Sequence, residues 1–160
     1  MRLWDYNLYL RHKYFETLSS IEWGELVKHR GASFDSLRNV FVHIVNCEDW
    51  YLHTVLLKKG GPIEKYDYEE FSNMDLIKNK MDAVEAKTKK LFVNLSESEY
   101  KKPIDYTMPN GTNRRNSIEE VLVNLIFEET HHRGELLGFL WAMNIEPPFE
   151  SLIAYLMKNP

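Results

Sequence analysis

Residues 117–144 read SIEEVLVNLIFEETHHRGELLGFLWAMN. Val121, Leu122, Leu125, Ile126, Leu136, Leu137, Leu140 and Trp141 recur in the three- and four-residue steps of an amphipathic helix. Ser117 with Glu120 three residues on is a capping box, in which each side chain satisfies the other's backbone N–H, so it marks the helix start. The run ends near Asn144 and spans about 40 Å at about 1.5 Å per residue. A helix this long, apolar along one side, needs long partners, which is the requirement of a helix bundle.

Working outward, three more runs have the same period. The first covers Leu3 to about Val27, with Leu3, Tyr6, Leu10, Tyr14, Leu18 and Ile21 in step. The second begins near Ser33, with Ser36 as the alternative N-cap, and runs to Gly60. The third begins at Ser72 or Asn73 and reaches about Leu95. Gly60-Gly61-Pro62, Pro103 with Pro109-Asn110-Gly111, and Pro147-Pro148 supply the breaks. From Ser96 to Asn116 the chain reads as a long loop, with a tight turn or small hairpin at Met108-Pro109-Asn110-Gly111-Thr112. A short helix from about Phe149 to Met157 follows the last break. The fold class expected is all-α: one domain over residues 1–160, an antiparallel four-helix bundle with a short additional C-terminal helix.

Hydrophobic residues make up 44% of the 160 and aromatics 13%, which excludes disorder. A net charge of −4 is no footprint of a nucleic-acid binder, and Arg114-Arg115 reads as a solvated turn. Cys47 is the single cysteine, so intrachain disulfides, zinc fingers and CxxC chemistry are excluded. The start has no apolar signal-like core, and no apolar run approaches the roughly 18 residues of a membrane span. A cytoplasmic protein with no membrane or nucleic-acid partner is expected.

The chemistry lies in Glu128-Glu129-Thr130-His131-His132-Arg133-Gly134-Glu135. At about 100° per residue, Glu128, His132 and Glu135 fall within about 60° of arc, bordered by Leu125, Leu136 and Phe139. Carboxylates beside apolar groups are costly unless paired or coordinated. A metal ion would compensate, and Glu128 and His132, four residues apart, can reach one ion. His43, inside Phe41-Val42-His43-Ile44-Val45-Asn46, is the third candidate. His43, Glu128 and His132 make a two-His, one-carboxylate set suited to Zn, Fe, Mn or Ni. The bland alternatives stay open. Glu128, Glu129, His131 and Glu135 also read as a solvated face, with Arg133 paired to Glu129. His43 also reads as a histidine bonded to a carbonyl, Cys47 as a small buried hydrophobe or a soft ligand, and His12, His29 and His53 as surface or loop residues.

These residues resemble the DinB family, within the DinB/YfiT-like superfamily of metal-binding four-helix bundles. The resemblance is carried by Val42-His43-Ile44-Val45 with Trp50 following and by His132-Arg133-Gly134-Glu135, close to the family's His-Arg-Gly-Gln. The start Leu3-Trp4-Asp5-Tyr6-Asn7 and the long loop before Ser117 add to it. It implies three histidine ligands, at the positions of His43, residue 128 and His132. This chain has Glu at 128, which can ligate through oxygen or leave the site degenerate. Glu135, in place of Gln, is placed to orient an imidazole. A divalent metal ion (Zn, Ni, Mn or Fe) and a homodimer are what the resemblance implies. Two function classes remain. One is a metal-dependent hydrolase or thiol S-transferase acting on a small molecule, with Glu135 or Glu129 moving a proton. The other is a non-catalytic, stress-related or interaction bundle.

Overall fold

Ser36, Asn73, Ser117 and Ser151 each stand directly before a helix. In each, the side-chain oxygen accepts a backbone N–H three residues on: from Asn39 at 3.2 Å, Leu76 at 3.0 Å, Glu120 at 3.2 Å and Ala154 at 3.1 Å. Each bond satisfies one of the N–H groups that a helix start leaves unpaired. The structure is a computed structural model and describes residues 2–31, 33–55, 67–108, 110–149 and 151–159, excluding the side chains of 53–55. In order, the elements are α1 (Arg2–Ser19), α2 (Trp23–Leu26), α3 (Leu37–Glu48), a π-helical segment (Asp49–Val55), a 3-10 turn (Tyr68–Glu70), α4 (Met74–Val93), α5 (Glu97–Tyr100), β1 (Pro103–Thr107), β2 (Asn113–Ser117), α6 (Ile118–Ala142) and α7 (Leu152–Lys158). The contacts divide them into two compact units, Met1–Phe41 with Glu129–Pro160, and Val42–Glu128.

In the first unit α1 buries Trp4, Leu10, Tyr14 and Leu18 on one face. Leu37, Val40 and Phe41 of α3 and Leu136 and Leu140 of α6 are also buried there. A fully buried side chain of this size contributes about 1.5–3 kcal/mol. Tyr6 and Tyr9 of α1 hold Tyr155 of α7 at ring distances of 5.4 and 5.1 Å. The first helix stops at Ser19, short of the expected Val27, and α2 is separate. The Ser19 hydroxyl donates to Phe15 O at 2.8 Å and the Ser20 hydroxyl to Thr17 O at 2.7 Å, so the two serines compete for carbonyls at the helix end. Of the two caps proposed for α3, Ser36 is the one used.

In the second unit Val42, Ile44, Val45 and Leu52, then Ile77, Met81 and Val84 of α4, then Ile118, Val121, Leu122 and Leu125 of α6, are buried. Asp49 pairs with Lys80 and with Lys87, tying the π-helical segment to α4. The stretch expected as a loop from Ser96 is instead structured. α5 has its own capping box of Ser96 and Glu99. β1 and β2 form an antiparallel hairpin in register Pro103↔Ser117 to Thr107↔Asn113. Its turn is closed by Met108 N–H donating to Thr112 O at 2.8 Å and uses Gly111 at φ 82°, a conformation that glycine adopts without strain. Ser117 closes the hairpin and caps α6, with its N–H donating to Glu120 Oε2 at 2.8 Å, so the expected capping box is present. The expected second-helix end at Gly60, the Gly60-Gly61-Pro62 break, Pro109 and the side chain of His53 lie outside the described residues.

Ser117→Ala removes the cap and is expected to lower unfolding free energy by about 1 kcal/mol, read by urea denaturation.

Candidate metal centre

His43 lies mid-way along α3, held by the buried neighbours Val42, Ile44 and Val45. Its Nε2 stands 3.6 Å from Glu128 Oε1 of α6. That gap is long for a hydrogen bond. It is close to the separation of about 3.4 Å expected for two donors sharing one tetrahedral ion at about 2.1 Å from each. One turn on from His43, Cys47 places its Sγ 3.2 Å from the same Nε2. Tyr51 follows four residues later, and its phenol hydrogen bonds with Asn124 of α6. Burial, then the neighbouring Tyr106, Cys47 and Glu128, push that phenol above its usual value.

α6 continues unbroken, so His132 sits one turn beyond Glu128. Within the other unit, His132 Nδ1–H donates to Glu135 Oε2 at 2.6 Å. Glu135 in turn accepts from Ser33 N–H at 3.1 Å and from the Ser33 hydroxyl at 2.7 Å. Phe34 meets the His132 ring edge-on at 5.3 Å. The imidazole is therefore held through Nδ1, an arrangement also used by metal-binding histidines. Burial pushes the Glu135 carboxyl up, but hydrogen bonds from His132 and Ser33 outweigh it and hold it below the ordinary carboxylate value. His131 is exposed, and with His132 and Glu135 it offers ligand atoms within 4.8 Å of one another.

Glu129 points elsewhere. It is buried, and Arg11 donates to both its oxygens, Nε to Oε1 at 3.0 Å and NH2 to Oε2 at 2.7 Å. Arg133 NH1 lies 2.8 Å from Oε1 and Asn7 donates to Oε2. Arg133 also donates to Asn7 Oδ1 at 2.8 Å, closing the cluster. Burial raises the Glu129 carboxyl, yet Arg11 and Arg133 with these hydrogen bonds hold it below the usual value of 4.5. Thus, of the four residues of the solvated-face reading, His131 is exposed, Glu128 and Glu135 are half-buried and Glu129 is buried. The Arg133–Glu129 pair expected on that face exists, inside rather than outside. Asn7, Arg11 and Ser33 were not singled out from sequence as site residues. Asn7 and Arg11 carry a readable signal, two polar groups interrupting the face of Trp4, Leu10, Tyr14 and Leu18. His29 pairs with Asp35 at the surface, and Arg115 faces Asp105 at 3.8 Å with both exposed.

Residues 2–149 match the family described as the DinB family. The chain belongs to the DinB family. A curated relative, the uncharacterised protein YizA of Bacillus subtilis (strain 168), is 22% identical over 158 residues, covering 99% of this chain and 96% of its own. The crystal structure of a DinB-like protein from Bacillus cereus ATCC 10987 matches with a TM-score of 0.71 at 18% identity, covering 93% of this chain and 95% of that one. The fold class is the all-α DinB bundle, as the helix pattern and the resemblance implied. His and Glu side chains grouped so that they can hold a metal ion are present among the described residues. No helix among the described residues is long and apolar enough to cross a membrane.

Arg11→Met leaves Glu129 short of its partner and is expected to cost about 3–5 kcal/mol, measured by chemical denaturation at pH 7. The depressed Glu129 carboxyl also sets a sign with pH. Its contribution is present above pH 4.5 and is lost as pH falls below that value and through the lower folded-state value. The stability gap between wild type and Glu129→Gln is therefore expected to shrink on acidification below pH 4.5 and to stay constant above it.

Proposed function

We propose that the protein binds one divalent metal ion through His43, Glu128 and His132 and uses it on a small molecule, as a hydrolase or a thiol S-transferase. The observation that carries this reading is the 3.6 Å approach of His43 Nε2 to Glu128 Oε1. It is supported by His132 one turn along the same helix, its Nδ1 held by Glu135, and by membership of the DinB family. Zn, Ni, Mn and Fe all accept two imidazoles and a carboxylate.

A divalent ion held there lowers the pKa of a bound water or thiol and polarises a substrate carbonyl or similar group. The chain's own residues do the rest. Glu135 Oε2 holds the Nδ1 proton of His132 and in this reading acts through that imidazole, orienting it and taking up charge as the ring polarises. Glu129, locked between Arg11 and Arg133, serves in this reading as a buried counter-charge and carries no proton. Ser33 fixes Glu135 through its backbone N–H and its hydroxyl. A cytoplasmic location belongs to the same proposal.

We also infer a homodimer. Val123, Phe127 and Trp141 lie along one exposed stripe of α6, with Phe127 70% and Trp141 56% exposed. Gly134 and Gly138 fall on the same stripe and leave open space for a close approach. An apolar face this long is the kind that a second copy covers.

Protein purified without a tag or chelator is expected to carry about one equivalent of a divalent metal by elemental analysis. His43→Ala and His132→Ala are expected to lose it, and Glu135→Ala to weaken it about 10–100-fold, with Glu135→Gln restoring most of the affinity. Metal-free wild type overturns the reading. Metal-loaded protein that turns over neither ester nor thiol-acceptor probes is the non-catalytic bundle that Glu128, in place of histidine, favours. Phe127→Asp is expected to shift the mass in light scattering from dimer to monomer.

A further inference from the structure

The second unit contains a cavity of about 190 Å3, lined by Tyr51, Tyr106, Met108, Val121, Asn124 and Arg114, with Asn116 and Glu120 completing it. Two helical ladders lead from it to the His43–Glu128 pair. On α3 and its π-helical continuation, His43, Cys47 and Tyr51 follow at four-residue steps. On α6, Glu128, Asn124 and Glu120 descend at the same step. On α6 the level of Asn124 is therefore about one helical pitch, roughly 5–6 Å, from Glu128, while on the other ladder Tyr51 stands two steps from His43. The two sides are joined there by the Tyr51–Asn124 hydrogen bond. The π-helical segment, a wider turn that recurs at functional sites, carries Trp50 and Tyr51. Trp50 stands edge-on to Tyr51 at 4.5 Å and to Tyr106 at 6.5 Å, which makes an aromatic wall. The β1–β2 hairpin supplies Tyr106, Arg114 and Asn116 as the opposite side.

We propose that this cavity is the substrate pocket of the centre and takes a small molecule with one aromatic ring, its polar head directed at His43 and Glu128. The proposal rests on the metal reading above for the head group and on the cavity alone for the ring. Size selects the ring. By volume, about 190 Å3 has room for a ring with one short substituent, since about 150 Å3 holds benzene, and the lining here is of mixed polar and apolar character. The lining selects its character, since tyrosine faces, a thioether and Val121 offer flat apolar contact. Asn116, Asn124 and Arg114 leave donors for a polar edge. Reach selects the head, because a substituent of about three or four atoms spans the one helical pitch from Asn124 to Glu128.

Two arms test this. In the first, phenol is titrated into metal-free protein and followed by NMR line broadening. Binding is expected, and Asn124→Trp, which fills the cavity from an exposed position, and Tyr106→Ala, on the hairpin, are each expected to weaken it at least about fivefold. In the second, benzohydroxamate and acetohydroxamate are titrated into metal-loaded protein by calorimetry. The ring is expected to improve affinity about tenfold or more, an advantage lost in both variants with metal content unchanged. Thermal melts establish that each variant folds, and either one suffices. No phenol binding together with equal hydroxamate affinities overturns the pocket, whatever the metal content. Phenol binding that both variants leave unchanged also overturns it. Metal-free wild type with variant-sensitive phenol binding sinks the metal reading and leaves the ring site standing.

Discussion

A carboxylate cannot stay charged in a protein interior without compensation, and Glu129 is the residue on which that constraint falls. Arg11 and Arg133 neutralise it, and Asn7 completes its hydrogen bonds. The cluster does more than offset desolvation. By fixing which way Glu129 points, it fixes the rotation of α6 about its own axis. Successive residues are turned by about 100°, so the same lock sets the direction of His132 on the neighbouring stripe. Two adjacent glutamates therefore have opposite environments. Glu129 is 4% exposed and Glu128 is 40% exposed. One holds the helix, and the other faces a histidine.

The helices were legible because their signals are local. Ser117 with Glu120, Asn73 and the three- and four-residue apolar steps are written in a few consecutive residues each. The α1 stop at Ser19 was less so, since Ile21 continues the apolar period and only the hydroxyl bonds of Ser19 and Ser20 end the helix. The hairpin was harder still. Asn113-Arg114-Arg115-Asn116-Ser117 has no apolar alternation, and its strand state comes from pairing with Ile104 and Tyr106 on β1, a contact whose local sign in the sequence was the expected turn at residues 108–112 and not the strand residues themselves. Within the site, His43, Glu128, His132 and Glu135 could be found because each stood where helical spacing made a charge beside apolar groups conspicuous. Ser33 could not. Its role depends on approaching Glu135, 102 positions away in the chain, and a serine before a helix is most simply read as a cap.

In the proposed centre, glutamate at 128 would change the character of the ion's surroundings. A carboxylate adds negative charge where an imidazole would add none, which suits harder ions and holds a bound water or thiol less acidic than a three-histidine set does. The longer, more flexible arm also tolerates the 3.6 Å spacing to His43. Cys47, 3.2 Å from the same nitrogen, adds a polarisable neighbour on the other side.

Ser117 ends β2 and caps α6 in the same residue, with no linker between the two elements. Strand and helix therefore have no slack between them. A hinge there would have to break the Ser117–Glu120 bonds, and a displacement of Tyr106 or Arg114 that keeps those bonds must turn the first helical turn with it. The direction of β2 therefore sets the direction in which α6 begins, and Glu120, Asn124 and Glu128 follow along that helix in order.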